Sequence, residues 1–308
     1  METNLPYGLS QKTRMSKADQ IPILRTIFLT SLALTAFAAN SVLCRLALGA
    51  GAIDAASFTA IRLFSGIITI FLILVLRREK KLIPRKGSWT SSLMLFLYAI
   101  TFSYAYITLD TGTGALILFG AVQITMILIS LFSGNRLHMS EWGGMVLSFG
   151  GFVYLVLPGV STPSPLGFSL MMFSGIAWGI YTLRGRDSKN PLQDTAHNFM
   201  RTIPLIAIFI VITFSQSQYS LEGVIYASLS GGLASGLGYS IWYAALRGLS
   251  ATQAAVIQLL VPVIAALGGI LFVSEVITSR LAISASMILG GILLVVLGRY
   301  FFVYRKAN

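Results

Sequence analysis

Apolar residues run through this chain in long blocks, separated by short polar or basic stretches. Ten blocks can be read: Ile23 to Cys44, Phe58 to Leu76, Trp89 to Leu109, Gly114 to Phe132, Trp142 to Leu157, Leu166 to Leu183, Phe199 to Phe214, Val224 to Leu246, Thr252 to Val273, and Leu281 to Gly298. Crossing about 30 Å of hydrocarbon takes roughly 17 to 25 helical residues, and most of the blocks meet that length. Runs this long and unbroken exclude the alternating pattern of a membrane barrel. The pattern predicts an all-α integral membrane protein with ten transmembrane helices.

Composition agrees, since 56% of the 308 residues are hydrophobic and 10% charged, too few polar groups to cover a soluble core of this size. The formal net charge of +12 raises the question of nucleic acid, and Arg77 to Lys81 with Pro84 to Lys86 is the densest basic cluster. Cytoplasmic loops of membrane proteins are rich in Lys and Arg, however, so the charge is read as topology and no nucleic-acid partner is expected. With an inside N-terminus, the inside segments collect Lys12, Arg14, Lys17, Arg25, the Arg77 to Lys86 cluster, Arg136, Arg184, Arg186, Lys189, Arg247, Arg299, Arg305 and Lys306, while the other side keeps Arg45 and Arg280. Both termini are therefore expected in the cytoplasm of a bacterial cell, the chain lying in its inner membrane. Ala36-Phe37-Ala38 superficially fits a signal-peptidase site, but the apolar run continues past it. Met15 is an alternative start, and Cys44, the single cysteine, has no intramolecular disulfide partner.

The pattern is written twice. A shift of 139 positions lays Arg45 on Arg184, Arg62 on Arg201, Tyr104 on Tyr243, and Thr111-x-Thr113-x-Ala115 on Ser250-x-Thr252-x-Ala254. Past Ser140 and Ser279, one inserted residue brings Gly150-Gly151 onto Gly290-Gly291. Each copy holds five spans, and five is odd, so the second copy enters the bilayer from the opposite face. The expected organisation is a cytoplasmic tail (residues 1–22), a first five-helix repeat (23–160), a second, inverted one (161–303), and a short cytoplasmic tail (304–308), around a central cavity. Inverted repeats supply two near-equivalent conformations and accompany alternating access.

The five-plus-five duplication, the arginine opening the second span of each half, the Thr/Ser-x-Thr-x-Ala entries to spans four and nine, Pro262 in span nine and the terminal Gly290-Gly291 helix together resemble the EamA-type members of the drug/metabolite transporter superfamily. The resemblance covers roughly residues 25 to 300, and within the superfamily it is nearest to bacterial exporters of amino acids and related metabolites of the YddG type. It implies that helices one, three, four, six, eight and nine wall the cavity. Gln123 departs from the duplicated pattern, standing where a second proline would face Pro262.

Polar and aromatic residues near the midplane are wasted facing lipid, which makes them candidates for substrate contact. They are Asn40, Tyr98, Phe102, Gln123, Trp178, Tyr239, Trp242 and Gln258, accompanied by Ser41, Tyr181, Ser235 and Tyr243. Trp89 and Trp142 stand at span ends as interfacial belt residues. Pro262 deprives the preceding turn of a hydrogen bond and marks a hinge, or a free carbonyl able to accept from an ammonium group. Arg62 and Arg201 are gating candidates; alternatively they anchor the helix ends by snorkelling to headgroups or meeting nearby carbonyls.

What is missing narrows the chemistry. Asp110, Glu141, Glu222 and Glu275 fall at helix ends and Asp54, Glu79, Asp187 and Asp194 in loops, leaving no evident buried proton carrier. The sequence therefore favours an uncoupled facilitator or exchanger over a proton-coupled drug or metabolite efflux carrier. Mid-span Lys or Arg, which a phosphorylated solute would require, is lacking, so neutral or zwitterionic solutes are expected. His138 and His197 stand apart from acids and from metal-ligand spacing, so neither an intramembrane enzyme nor a metal or cofactor site is expected. A membrane pore is a third class, for which no ring of charges or filter is visible. Oligomeric state is not legible.

Overall fold

The computed structural model describes residues 23–77, 87–132, 139–157, 159, 162–185, 188, 190–249 and 251–298. The two tails, most of the basic cluster after Arg77, and Arg136, His138, Arg186, Asp187, Lys189 and Ser250 lie outside the described residues. The described residues form helices α1 (Ile23–Gly49), α2 (Ala55–Leu76), α3 (Trp89–Ala105), α4 (Thr111–Phe132), α5 (Met139–Val156), α6 (Pro165–Gly185), α7 (Pro191–Arg201), α8 (Ile203–Thr213), α9 (Leu221–Leu229), α10 (Gly238–Leu246), α11 (Ala251–Gln258), α12 (Leu260–Val273) and α13 (Ser279–Gly298). A π-helical stretch, Ser230–Leu237, joins α9 to α10 in one rod. Seven helical segments among the described residues are long and apolar enough to cross a bilayer, and Glu141–Val156 is a shorter apolar helix. The protein is an all-helical integral membrane protein.

Local chemistry sets the helix boundaries. Asp54, Ser88, Asn190 and Ser220 each turn a side-chain oxygen onto backbone N–H groups of the first turn, starting α2, α3, α7 and α9. Pro191 follows its cap in the first turn of α7, where a missing N–H costs nothing. Pro262 cannot bond back to the carbonyl of Gln258, and the chain breaks between α11 and α12 at Leu259.

Small residues allow the closest helix approaches. The α5–α13 contact is the most extensive in the bundle. A Cβ on Gly144 would collide with the Gly291 carbonyl oxygen, and one on Gly291 with that of Gly144. The π-helical stretch meets α2 in the same way, for a Cβ on Gly231 would collide with the Arg62 carbonyl oxygen. Contacts of this kind replace the hydrophobic drive that is absent between helices in lipid. Conversely, Ile68, Phe71, Leu72 and Val75 on α2 are exposed, as a lipid-facing stripe must be.

One expected boundary is corrected. The apolar pattern starts the seventh span at Phe199 and puts Asp194 in a loop, but the helix begins at Pro191 and Asp194 lies in the first turn of α7. Gln193, Asp194, Thr195 and Asn198 depress the hydropathy of this turn because they point inward, not because they meet bulk water. Glu141 is also fully buried in the first turn of α5, so acidic side chains are not confined to wet helix ends.

Candidate functional site

A cavity of about 670 Å³ occupies the middle of the helix bundle. Its deep wall is made by Phe37, Asn40 and Ser41 of α1 and Tyr98 and Phe102 of α3. It extends to the bundle end that carries the α6–α7 connection, where Gly185, Ser188, Pro191 and Asp194 border it. Gly185 and Thr182 are exposed there, so this end is the mouth.

Trp178 is the hub of an aromatic wall. Its ring stacks on Tyr181 and on Tyr239, each at 5.1 Å between centroids, and lies 4.8 Å from Tyr98. Phe37 extends the cluster, with Tyr239 and Trp242 both 5.8 Å away. Offset and tilted pairs of this kind add about 0.5–1.5 kcal/mol each beyond area burial. Nearer the mouth, the Tyr181 hydroxyl donates to Thr195 at 3.4 Å, and Thr195 and the Tyr243 hydroxyl are 3.1 Å apart, tying α6, α7 and α10 together. Asp194 accepts a short hydrogen bond from Ser188 through Oδ2, whereas its Oδ1 is buried without a hydrogen-bond partner.

A polar chain crosses the deep end. Ser230 donates to Asn40 Oδ1 at 2.6 Å, Asn40 Nδ2 donates to the Tyr98 hydroxyl at 3.3 Å, and Arg62 Nη2 donates to the same oxygen at 2.7 Å. The Arg62 guanidinium also faces the rings of Phe102 at 4.6 Å and Tyr98 at 5.1 Å. Only 2% of Arg62 is exposed, which corrects the expectation that it snorkels to headgroups. It enters the bundle because α2 packs on the π-helical stretch and α3, leaving the arginine no path to lipid. Arg201, its counterpart under the 139-residue shift, is partly exposed and lies over the Trp89 ring at 6.0 Å.

The bundle end opposite the mouth is closed. Arg45 pairs with Asp110 at 3.6 Å and with Glu275 at 3.4 Å, and donates to the carbonyls of Tyr106 and Ile107 at 3.2 Å each. Glu275 accepts from the Thr111 backbone N–H and hydroxyl, all at 2.9 Å. Beside this knot, Asp54 N donates to the Gln218 carbonyl at 2.8 Å, and Gln218 N returns a bond to Asp54 Oδ2 at 2.9 Å. Burial pushes the Asp54 carboxyl up, but hydrogen bonds from Ser57, Gln218 and Ala56 outweigh it and hold the group below its ordinary value.

Of the residues singled out from sequence, Asn40, Tyr98, Phe102, Trp178, Tyr239, Trp242 and Gln258 border the one cavity. Gln123 does not: it is buried on α4 outside that wall, its amide nitrogen without a hydrogen-bond partner. Pro262 is buried one turn beyond Gln258. Phe37, Asp194, Thr195 and Asn198 border the cavity but were missed. Polar side chains in the turns that follow an Asn190-Pro191 helix start were the available signal for the last three.

Taken together, a membrane-embedded bundle with a solute-sized cavity, open at one end and latched at the other, is the architecture of a transporter. The EamA-like transporter family matches residues 165–297. The chain is 49% identical over 279 residues to the uncharacterized protein PA1977 of Pseudomonas aeruginosa, covering 91% of this chain and 97% of the other. It is also 23% identical to the uncharacterized transporter YoaV of Bacillus subtilis, over 76% of this chain and 85% of that one. A solved crystal structure at 19% identity has the same overall fold, with a TM-score of 0.59 and coverage of 87% of this chain and 98% of the other. The chain belongs to the EamA-like family of the drug/metabolite transporter superfamily and is a multi-pass membrane transporter.

Proposed function

We propose that the protein is an alternating-access carrier exporting amino acids or similar small neutral or zwitterionic metabolites across a bacterial inner membrane, in the manner of YddG-type exporters. The observation that carries this reading is the cavity itself, walled by stacked aromatics with the Asn40 and Gln258 amides among them, and open at one end. Aromatic faces suit an apolar side chain, while amides, hydroxyls and the Gln258 carbonyl released by Pro262 suit a charged headgroup. Counting α3, α5, the joined α7–α8, the α9–π–α10 rod and the joined α11–α12 gives ten crossings. Packing supports inverted repeats: α3 and α4 pack on α6, and their counterparts in the second half, α10 and α12, pack on α1. With basic residues marking the inside, both termini are cytoplasmic and the mouth faces the cytoplasm, as loading for export requires.

The test is efflux from liposomes containing the purified protein and loaded with an amino-acid panel. Saturable, stereoselective export is expected; flux linear in concentration and shared with small ions would instead identify a pore. A proton-coupled carrier is a second reading, favoured by the unpartnered Oδ1 of Asp194 at the mouth. An imposed pH gradient separates the two, since uphill accumulation driven by protons that disappears in Asp194→Asn would establish coupling.

A further inference from the structure

We infer that Arg62 and Tyr98 form an anion-recognition point at the deep end of the cavity, so that the transported solute carries a carboxylate. This inference rests on the export reading and names the headgroup chemistry of its substrate. Arg62 is 2% exposed, and among the described residues it makes no ion pair; its Nη1 lacks a hydrogen-bond partner altogether. The acid that borders the cavity, Asp194, is bonded to Ser188 at the mouth instead. A buried cation without a counter-ion is costly, and aromatic faces offset only part of that cost.

The hydrogen-bond pattern turns this charge toward the cavity. The Tyr98 oxygen accepts from Arg62 Nη2 and from Asn40 Nδ2, and Asn40 is fixed as that donor because its Oδ1 already accepts from Ser230. With both acceptor sites of the phenol occupied, the Tyr98 proton is turned to the cavity side, where the Tyr239 hydroxyl is its protein partner and an arriving anion is the stronger acceptor that displaces it. Tyr98 borders the cavity, so a solute arriving there meets a hydroxyl donor backed by an uncompensated guanidinium. Such a point takes an acceptor, and most favourably an anion. Beside it, the Trp178 ring at 4.8 Å supplies an apolar face for the rest of the solute. Neither arginine borders the cavity directly: Arg62 reaches it through Tyr98, whereas Arg201, at the same place in the second copy, lies over the Trp89 ring.

The experiment titrates the purified full chain with phenylalanine, 3-phenylpropionate and phenylalaninamide, following tryptophan fluorescence, and repeats it with Arg62→Gln, Arg62→Lys and Tyr98→Phe. Wild type is expected to bind the two carboxylates at least about tenfold more tightly than the amide, the scale of one charge-assisted hydrogen bond. Arg62→Gln and Tyr98→Phe should bring that ratio to about twofold, while Arg62→Lys keeps most of it. Should Arg62→Gln fail to fold, Tyr98→Phe decides alone, since it removes the donor and leaves the charge. Equal wild-type affinity for phenylalanine and its amide, or an unchanged ratio in Tyr98→Phe, overturns the anion point while measurable phenylalanine efflux leaves the export reading standing. No binding and no efflux of any of the three overturns both.

Discussion

Under the 139-residue shift the two ends of the bundle are built from matching positions, yet among the described residues only one of them is latched by ion pairs. At the closed end Arg45 holds Asp110 and Glu275, joining α1 to the α3–α4 and α12–α13 connections. A shift of 139 positions carries Arg45 to Arg184, but carries Asp110 to Leu249 and relates Glu275 to Arg136. Arg184 is exposed, and among the described residues it forms no ion pair. The acids that would lock the mouth are replaced by an apolar and a like-charged residue. On the proposed alternating-access reading, two near-symmetric halves would leave two conformations close in energy, so that a few kcal/mol of unmatched charge chemistry would suffice to choose the resting one.

Breaking the latch should have the largest effect. Glu275→Gln keeps the shape but removes the charge that Arg45 and the Thr111 hydrogen bonds rely on, a loss on the order of 2 kcal/mol. Cys44 is a native reporter, since it continues the α1 face of Asn40 and Ser41 one turn toward the closed end and is fully buried. Its labelling by a membrane-impermeant maleimide should accelerate at least about tenfold in Glu275→Gln, following population-shift arithmetic. An unchanged rate would mean that the knot fastens loops without gating the path.

Next in size is the aromatic hub in the cavity wall. Trp178→Ala removes two stacked partners and should weaken apparent substrate affinity about tenfold in liposome efflux. Trp89→Ala, exposed at a helix end, should stay within about twofold, the range of surface changes. Gln123→Ala now separates two descriptions of α4: behind the cavity wall, its effect should appear in melting temperature rather than affinity. Smaller again is Asp194→Asn, which should leave amino-acid affinity within about threefold but abolish any response of efflux to an imposed pH gradient.

How much of this could be read from the chain alone depends on the kind of interaction involved. Helix existence and the cavity's aromatic side were legible because hydropathy and helical spacing are local. The start of α7 was not, because hydropathy cannot tell a polar residue facing a cavity from one facing water, and Asp194, Thr195 and Asn198 are of the first kind. The fate of Arg62 was hidden for a different reason: its partner is 36 positions away on α3, and no property of α2 announces it. Gln123 failed in phase, since the rotation of α4 is set by close packing of Gly175 on Ala121 and Gly179 on Thr125, contacts between helices rather than within one. The π-helical stretch Ser230–Leu237 likewise arises where Gly231 yields to the α2 backbone.

The subtlest difference between the ends lies in Asp54, which starts α2 and grips Gln218 across the closed end. Its carboxyl is held below the ordinary range, so its contribution is complete at any pH above the unfolded carboxylate value of about 3.9 and is lost as pH falls through the lower folded value. Cys44 labelling should therefore be flat from about pH 8 to 5, apart from the thiolate chemistry of the reagent, and the closed end should loosen only under stronger acid. Asp54→Asn tests the charge separately from the cap, because Asn caps helices as well as Asp does, whereas Asp54→Ala removes both for about 1 kcal/mol. The melting-temperature gap between wild type and Asp54→Asn should close as the solution is acidified past the folded value. A gap that persists unchanged into that range would assign the Asp54 contribution to shape alone and leave Arg45 and its two acids as the whole electrostatic difference between the ends.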